Sequence, residues 1–512
     1  MSPQTEVFSY DAVSYDTEAN PDAHPGALQT AARLFGLAAP PPSTASVLEL
    51  GCGNGEHAIA AAAWLPSARL EGVDLAGAAI AEGTGAAKAC GLENVTLSRR
   101  DVVELADDPA LGEHDYVVAH GLYSWVPPAV REATLRVAAR ALKAEGVLFV
   151  SCNALPGWEL SRALRAVMRR AARGAPSAAE SVTRALDAVR AVAATTSGGL
   201  AGAIAAHAGA YLEHVARATP PDAELSRYVF HDLLAECNDP FSAHELAAHA
   251  AAHGLTFLTS LPLPRDLLRA DAPPSPSRSA AAAARVDAAA AELARYGTPF
   301  LQAAFCRAES APLAVAASAS AAQDLFLHAA LTLTPAGRVR TAGGVEIAPA
   351  PGGRDPLARA VAHAHGFVRV RDLTDGDEAL ALDVVRAARE GLVTLRAEPP
   401  RCAARAPSRP RACAHTRARA ADALARGASS AVVVSALHAP YRVARGELTL
   451  AALFDGTRER AELAGEAARQ LRALPRHAWP DALAGDLGEP SVARWVDAVV
   501  DKWLRHALLE AP

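Results

Sequence analysis

Lysine is almost missing from this chain of 512 residues. Of its 50 basic residues only Lys88, Lys143 and Lys502 are lysines, leaving 47 arginines. With heavy alanine use, that bias points to GC-rich coding and not to a phosphate-binding design. Neither sign of charge dominates: 56 acidic residues leave a net charge of −6, which argues against a protein held on nucleic acid by its global field. Paired cysteines are also lacking. Cys52, Cys90, Cys152, Cys237, Cys306, Cys402 and Cys413 are scattered and form no C-x-x-C, as expected of reduced thiols in a cytosol. No apolar run reaches the ~20 residues of a membrane span, and the stretch 199–212 falls short. The opening Met1–Glu6 has neither the basic nor the apolar stretch of a signal peptide. Gly and Pro, 35 each, stay near the usual share and exclude collagen and bulk disorder. The expectation is a soluble, cytoplasmic, bacterial-style protein with no membrane insertion and two to four domains.

What is present begins with alternation. Between residues 47 and 152 short apolar runs alternate with helical stretches, the pattern of a parallel α/β sheet. Strands are predicted at 46–50, 69–74, 94–98, 115–119 and 146–151, with a helix at 78–90 stopped by Gly91. From Trp158 to about residue 240 the periodicity is helical only. At Ser242 a capping box, Ser242-Ala243-His244-Glu245, opens a helix that Gly254 closes, and strands follow at 255–260 and 299–307. The preferred reading is a helical insertion at 158–240, with 241–310 returning to complete the sheet. The alternative ends the sheet near residue 155 and follows it with independent helical domains. Beyond a small-residue linker at 311–321, the order within 311–400 is winged-helix-like: a hairpin at 331–347, then a helix from Leu380 and a strand at 391–396. Residues 398–417, rich in Pro and Arg, read as an exposed linker, and 417–512 as a mostly helical domain.

The chemistry sits at the end of the first strand. Val47-Leu48-Glu49-Leu50-Gly51-Cys52-Gly53-Asn54-Gly55 places three glycines at alternate positions where a strand gives way to a helix. Glycine permits the tight turn and a close approach of backbone to a nucleotide-like ligand. A dinucleotide loop wants a third glycine where Glu56 stands. Gly55 and the acid at Glu49 instead favour S-adenosylmethionine, which brings no pyrophosphate to cradle. Asp74 ends the second strand 19 residues beyond Gly55, placed to accept from both ribose hydroxyls. Asp101 ends the third, where it can accept from the adenine amino group. Cys52 in the loop, Leu75 after Asp74 and Val102 after Asp101 border the same ligand.

The fourth strand runs into Ala119-His120-Gly121-Leu122-Tyr123-Ser124-Trp125-Val126-Pro127-Pro128. Ligands in open α/β sheets sit beyond the carboxyl ends of the strands, so this loop should border the reacting methyl group. His120 is placed by its position beside the cofactor and as a candidate base. Tyr123 and Trp125 are candidates for the acceptor pocket, although aromatics at a strand end are as often packing. The Asn-Pro-Pro-aromatic tetrapeptide of DNA amino-methylating enzymes is absent, which counts against a nucleic-acid acceptor.

Val47–Gly55, Ala119–Pro128 and Asn153–Trp158 together resemble bacterial class I methyltransferases that carry a methyltransferase regulatory domain, whose best-known members methylate lysines of outer-membrane proteins. The similarity extends to Tyr10–Tyr15, His24–Pro25, Tyr228–Gly254 and Leu453–Arg458, and it lapses over 265–300 and 396–420. The resemblance implies a Rossmann-like class I methyltransferase sheet over 1–157 and a helical insertion that can mediate a homodimer. It further implies a C-terminal α+β, winged-helix-like accessory region that shapes a cleft for a protein substrate. By loop position, Tyr15 and Tyr123 are candidates to orient an acceptor amine or to meet it by a cation–π contact.

The expected activity is transfer of a methyl group from S-adenosylmethionine to a protein side chain, a lysine Nε. A small-molecule methyltransferase and a SAM-binding regulator without turnover are the competing readings. No metal is required. Glu245, His249 and His253 share one helix face, but the cap already accounts for Glu245. Cys402, Cys413 and His415 sit in the Arg/Pro-rich stretch and are not read as a zinc site.

Overall fold

A computed structural model describes residues 17–511, apart from 197, 219–226, 270–271, 337, 342–344, 348–354, 363–365, 477–478 and 484. The apolar runs of the first half form β1 (Ser46–Leu50), β2 (Arg69–Asp74), β3 (Val95–Arg99), β4 (His114–Ala119) and β5 (Leu142–Asn153). They pair in parallel in the order β3-β2-β1-β4-β5. Two later strands, β6 (Leu255–Leu261) and β7 (Phe300–Arg307), extend the sheet, with β7 antiparallel to both β5 and β6. The result is one mixed sheet of seven strands, so the Rossmann-like methyltransferase sheet expected from the sequence is the fold observed.

The helices bracketing these strands are α1 (Pro25–Leu34), α2 (Glu56–Trp64), α3 (Gly77–Ala89), α4 (Val102–Leu105), α5 (Pro128–Ala141), α6 (Glu159–Ala172), α7 (Ala178–Ala193), α8 (Gly199–Ala218), α9 (Ala243–Ala251) and α10 (Arg278–Tyr296). Successive residues of a strand face opposite ways, and here both faces are covered. Val47, Tyr116, Val118 and Phe149 join Leu28 and Leu34 of α1 and Ala58 and Ala61 of α2 in one core. Leu48, Leu50, Val117, Leu148 and Val150 join α5, α9 and α10 in the other. This is why the central strands read as unbroken apolar runs. Each fully buried Leu, Val or Phe contributes roughly 1.5–3 kcal/mol over an exposed one.

Helices α6, α7 and α8 lie between β5 and β6 and close a separate core around Trp158, Leu164, Met168, Val189 and Phe230. The Ser242/Glu245 capping box forms as the sequence indicates and starts α9. Residues 316–397 bring Leu327, Val370, Leu373 and Val385 into the α1/α2 core, with small three-stranded sheets and the helix Glu378–Arg389. The C-terminal region has its own core around Phe454, Leu463, Val496 and Trp503. Both later regions make up the α+β accessory part.

The Pro- and Arg-rich stretch 398–417 is not the exposed linker expected. Ala412 and Cys413 are completely buried, and Ala412 and Cys402 bridge to Leu509 and Glu510. Arg409 and Arg411 carry more than half of their side chains in solvent while Pro410, Ala412 and Cys413 turn inward. Composition registered the arginines and missed the alternation.

Candidate functional site

Strand order reverses between β1 and β4, so the loops leaving their carboxyl ends diverge and open a crevice. Gly51, Gly53 and Gly55 all occupy the left-handed region, with φ of 72°, 57° and 73°. Any other residue would be strained there. Gly55 is the N-cap of α2, and Gly51 N and Cys52 N both donate to Val73 O, at 2.9 and 3.1 Å, locking the loop to β2. Close packing supports the turn from beneath. Gly83 of α3 passes so near the Asn54 carbonyl oxygen that a Cβ there would overlap it. Cys52 is buried beneath the loop.

Asp74 closes this loop from the side. Its Oδ2 accepts from Gly53 N and its Oδ1 from Ala76 N, both at 2.8 Å. Each oxygen keeps a lone pair for a further donor. Beyond it Leu75 is 59% exposed, and Val103 is 38% exposed past the end of β3. Asp101 caps α4 by accepting from Val103 N at 2.8 Å, and Val102 packs into the core behind it.

Glu49 is the last residue but one of β1, 5% exposed, and accepts a backbone hydrogen bond from Ala58 in the first turn of α2. Its Oε2 has no partner among the described residues. Burial, reinforced by the nearby Asp74 carboxylate, pushes its pKa up to about 8. A buried acid with a bare oxygen beside a second acid is suited to a cationic ligand.

His120 stands at the end of β4. Ser151 Oγ accepts from Gly121 N at 2.9 Å and lies 2.9 Å from His120 Nδ1, which fixes the plane of the ring. Burial lowers the His120 pKa to about 4, which makes it a neutral imidazole near pH 7. Tyr123 is 1% exposed, packs edge-on against Phe241 and places its hydroxyl 3.1 Å from His249 Nδ1. It is a core residue beneath the loop. Trp125 is partly exposed and hydrogen-bonds Asp232 of the insertion, whose pKa rises to about 6, chiefly through burial. Tyr15 lies outside the described residues.

Several residues that sequence reading missed converge on this crevice. Thr17 lies over the glycine loop and donates to Asn54 Oδ1. Asn20 Nδ2 donates to Gln302 Oε1 of β7 at 2.7 Å and lies 3.2 Å from His120 Nδ1. Gln302 Nε2 in turn donates to Asp22 Oδ2 at 2.8 Å. The resemblance at His24–Pro25 pointed to this segment, although nothing local named Asn20 or Asp22.

Helix α2, which leaves the glycine loop, is held by the C-terminal region at three places. His415 Nε2 is 3.0 Å from Glu56 Oε1, His438 Nε2 is 2.9 Å from His57 Nδ1, and Trp64 Nε1 donates to Val434 O at 3.0 Å. Burial raises the Glu56 pKa, but the hydrogen bond and charge of His415, with Arg419, outweigh it and leave that pKa low. The two histidines expected on one helix face with Glu245 have partners of their own: His249 meets Tyr123, and His253 Nε2 is 3.0 Å from Glu132.

The sheet order, the glycine turn and the acid ending β2 define a class I methyltransferase fold. Comparison with known families agrees. Residues 47–146 match the family described as "Methyltransferase domain", and residues 226–295 match "Predicted methyltransferase regulatory domain". The chain therefore carries a methyltransferase domain with a methyltransferase regulatory domain, and the resemblance read from the sequence stands.

An uncharacterized protein of Rickettsia prowazekii (strain Madrid E) is 36% identical over 168 residues, 33% of this chain and 66% of that protein. A second from the same organism is 36% identical over 159 residues, 31% of this chain and 28% of its own. The matched stretches thus span less than two thirds of these relatives. Among solved structures, PKMT2 from Rickettsia typhi in complex with AdoHcy has a TM-score of 0.78 at 19% identity, covering 97% of this chain and 99% of that one. The likeness is one of fold, and it extends through the accessory regions.

The cofactor of the domain is S-adenosylmethionine. The site suits it. Gly53 and Gly55 put no side chain of their own on the loop, each Asp74 oxygen keeps a lone pair for a hydroxyl donor, and Glu49, by losing its proton, can answer the charge of a sulfonium compound.

Proposed function

We propose that this chain is a SAM-dependent methyltransferase whose acceptor is a protein side chain, a lysine Nε. The observation that carries the donor half is the joint placement of the left-handed glycine turn, Asp74 and the unpartnered Glu49 oxygen at the carboxyl ends of β1 and β2. The acceptor half is supported by the family resemblance, by the regulatory domain and by the ties between acceptor loop and insertion through Trp125 and Asp232.

Bound S-adenosylmethionine supplies a methyl group activated by the positive sulfur. The chain's own groups do the rest. Gly51 to Gly55 let backbone approach the ligand, Asp74 accepts from the ribose, and Asp101 from the adenine amino group. Leu75 and Val103 are the exposed side chains that border the ring, Val102, expected there from the sequence, being turned into the core, and Cys52 packs under the loop. Holding donor and acceptor in line is itself the larger part of such catalysis.

A lysine with a pKa near 10.4 costs about 4–5 kcal/mol to deprotonate at pH 7. His120, with a pKa of about 4, is too weak a base to cover that cost. In this reading the amine sheds its proton to water as the mouth desolvates it, and the neutral His120 orients it. Tyr123 and Trp125 are positioning residues for the loop.

The test uses the purified full chain with methyl-labelled S-adenosylmethionine and bacterial outer-membrane protein, with lysines free or chemically blocked. Label entering protein, lost on blocking and lost in Asp74→Ala, is expected. Label that enters only small molecules of a lysate, or protein label indifferent to lysine blocking, would overturn the acceptor.

A further inference from the structure

Helix α6 carries its arginines on one side. Arg162, Arg165, Arg169 and Arg173 recur every three or four residues and fall within a quarter turn of one another, while Leu164 and Met168 turn into the insertion's core. GC-rich coding accounts for arginine in place of lysine, but not for this alignment. Together with Arg170 and the segment Asn238–Pro240 these residues line a groove of about 460 Å³, a volume within the usual range for ligand sites.

Among the described residues the positive charge of the groove is largely uncompensated. Arg162 pairs with Glu159, and Arg165 is anchored by donating to the carbonyls of Ala235 and Glu236. Arg169 reaches only the Glu236 carbonyl, and Arg170 and Arg173 have no acidic partner among the described residues. Asp239, the acid in the lining, is already paired with Arg131. In a chain of net charge −6, five arginines around one engaged carboxylate stand out as a local positive field.

The far wall of the groove is also a wall of the acceptor loop. Asp239 N donates to Ser124 O at 2.9 Å, and Asn153 Nδ2 donates to Asn238 Oδ1 at 2.8 Å. Asn153 N donates to Ser124 Oγ at 2.8 Å. Ser124 lies between Tyr123 and Trp125, so a chain bound along α6 would reach the mouth beside His120 within a few residues.

We infer that this groove binds an acidic segment of the polypeptide substrate, its carboxylates paired with Arg169, Arg170 and Arg173, and so presents a nearby side chain to the acceptor loop. The guanidinium fork suits carboxylates in pairs. The inference rests on the protein-acceptor reading for its purpose, but its test does not.

The test is fluorescence anisotropy of a labelled oligoglutamate peptide titrated with the full chain, wild type against Arg169→Glu/Arg173→Glu. Arg494→Glu, an exposed arginine of the helix Glu489–Arg505, serves as charge control. Calorimetry with S-adenosylmethionine checks that each variant keeps its donor site. The expected result is binding weakened about tenfold or more by the double variant and little changed by the control, with cofactor binding intact. Failure of the wild type to bind, equal loss in the control, or tighter binding of a single-stranded oligonucleotide would overturn the inference. Arginine-dependent peptide binding without any methyl transfer would leave the groove standing and remove the proposed activity.

Discussion

His438 places its Nε2 2.9 Å from His57 Nδ1, although the two are separated by 381 residues. His57 is the second residue of α2, directly after the glycine turn, and His438 sits in the left-handed region (φ 62°) at the turn between the strands Ser430–Val434 and Pro440–Ala444. His24 stacks against the other side of His438, with ring centroids 4.8 Å apart. The C-terminal region therefore grips the helix that shapes the cofactor loop.

His438→Ala removes this grip and leaves the backbone N–H of Asn20, at 3.4 Å, as the remaining partner of the buried His57 Nδ1 among the described residues. The expected cost is about 1–3 kcal/mol of stability and, because α2 carries the loop, a weaker affinity for S-adenosylmethionine. Thermal unfolding and calorimetry on the full chain measure both. A variant with lower stability but unchanged affinity would show that the contact is only structural.

The same cluster sets a pH dependence. Burial, with the charge of the neighbouring His120, lowers the His57 pKa to about 3, while an unfolded chain restores the ordinary 6.5. Below pH 6.5 the unfolded state therefore takes up a proton that the folded state refuses. The contribution of His57 is fully present above pH 6.5 and is lost as pH falls toward 3, at up to about 1.4 kcal/mol per pH unit. His114 and His120, each at about 4, act in the same direction, while Asp232, raised to about 6, opposes them. His57→Gln isolates one group. Its unfolding midpoint should fall less steeply than that of wild type between pH 6.5 and 5, and parallel slopes would contradict the burial of a neutral imidazole.

How much of this was legible beforehand depends on sequence distance. The bounds of β1 and β2 were readable to the residue, because their buried apolar residues stop where the loop glycines begin after Leu50 and where Asp74 closes the second run. The Ser242/Glu245 box was readable because both partners lie within one helical turn. By contrast, the Asn20, Gln302 and Asp22 chain joins residues 282 and 280 positions apart, and the His57–His438 contact spans more. No periodicity records such pairs. They arise from the sheet returning at β7 and from the C-terminal region folding back onto α2.

Glu49 supplies the sharpest test of the cofactor site. With a pKa of about 8 it is largely protonated at pH 7, held so by burial and by the Asp74 carboxylate. Its acid is then a source of stability that is complete below the ordinary carboxyl pKa of 4.5 and lost as pH rises through 8, the reverse of the histidines. A sulfonium ligand beside Oε2 brings the missing positive charge and favours the ionised form, so binding at pH 7 should release close to one proton. Calorimetry in two buffers of different ionisation enthalpy reads that number directly. Glu49→Gln mimics the protonated acid in shape. The free variant should be more stable than wild type at pH 7, because folding no longer requires a carboxylate of ordinary pKa 4.5 to take up a proton, while the proton release disappears and affinity for S-adenosylmethionine falls more than affinity for the uncharged S-adenosylhomocysteine. Equal losses for both ligands would mean that Glu49 supports the loop and does not sense the sulfur's charge.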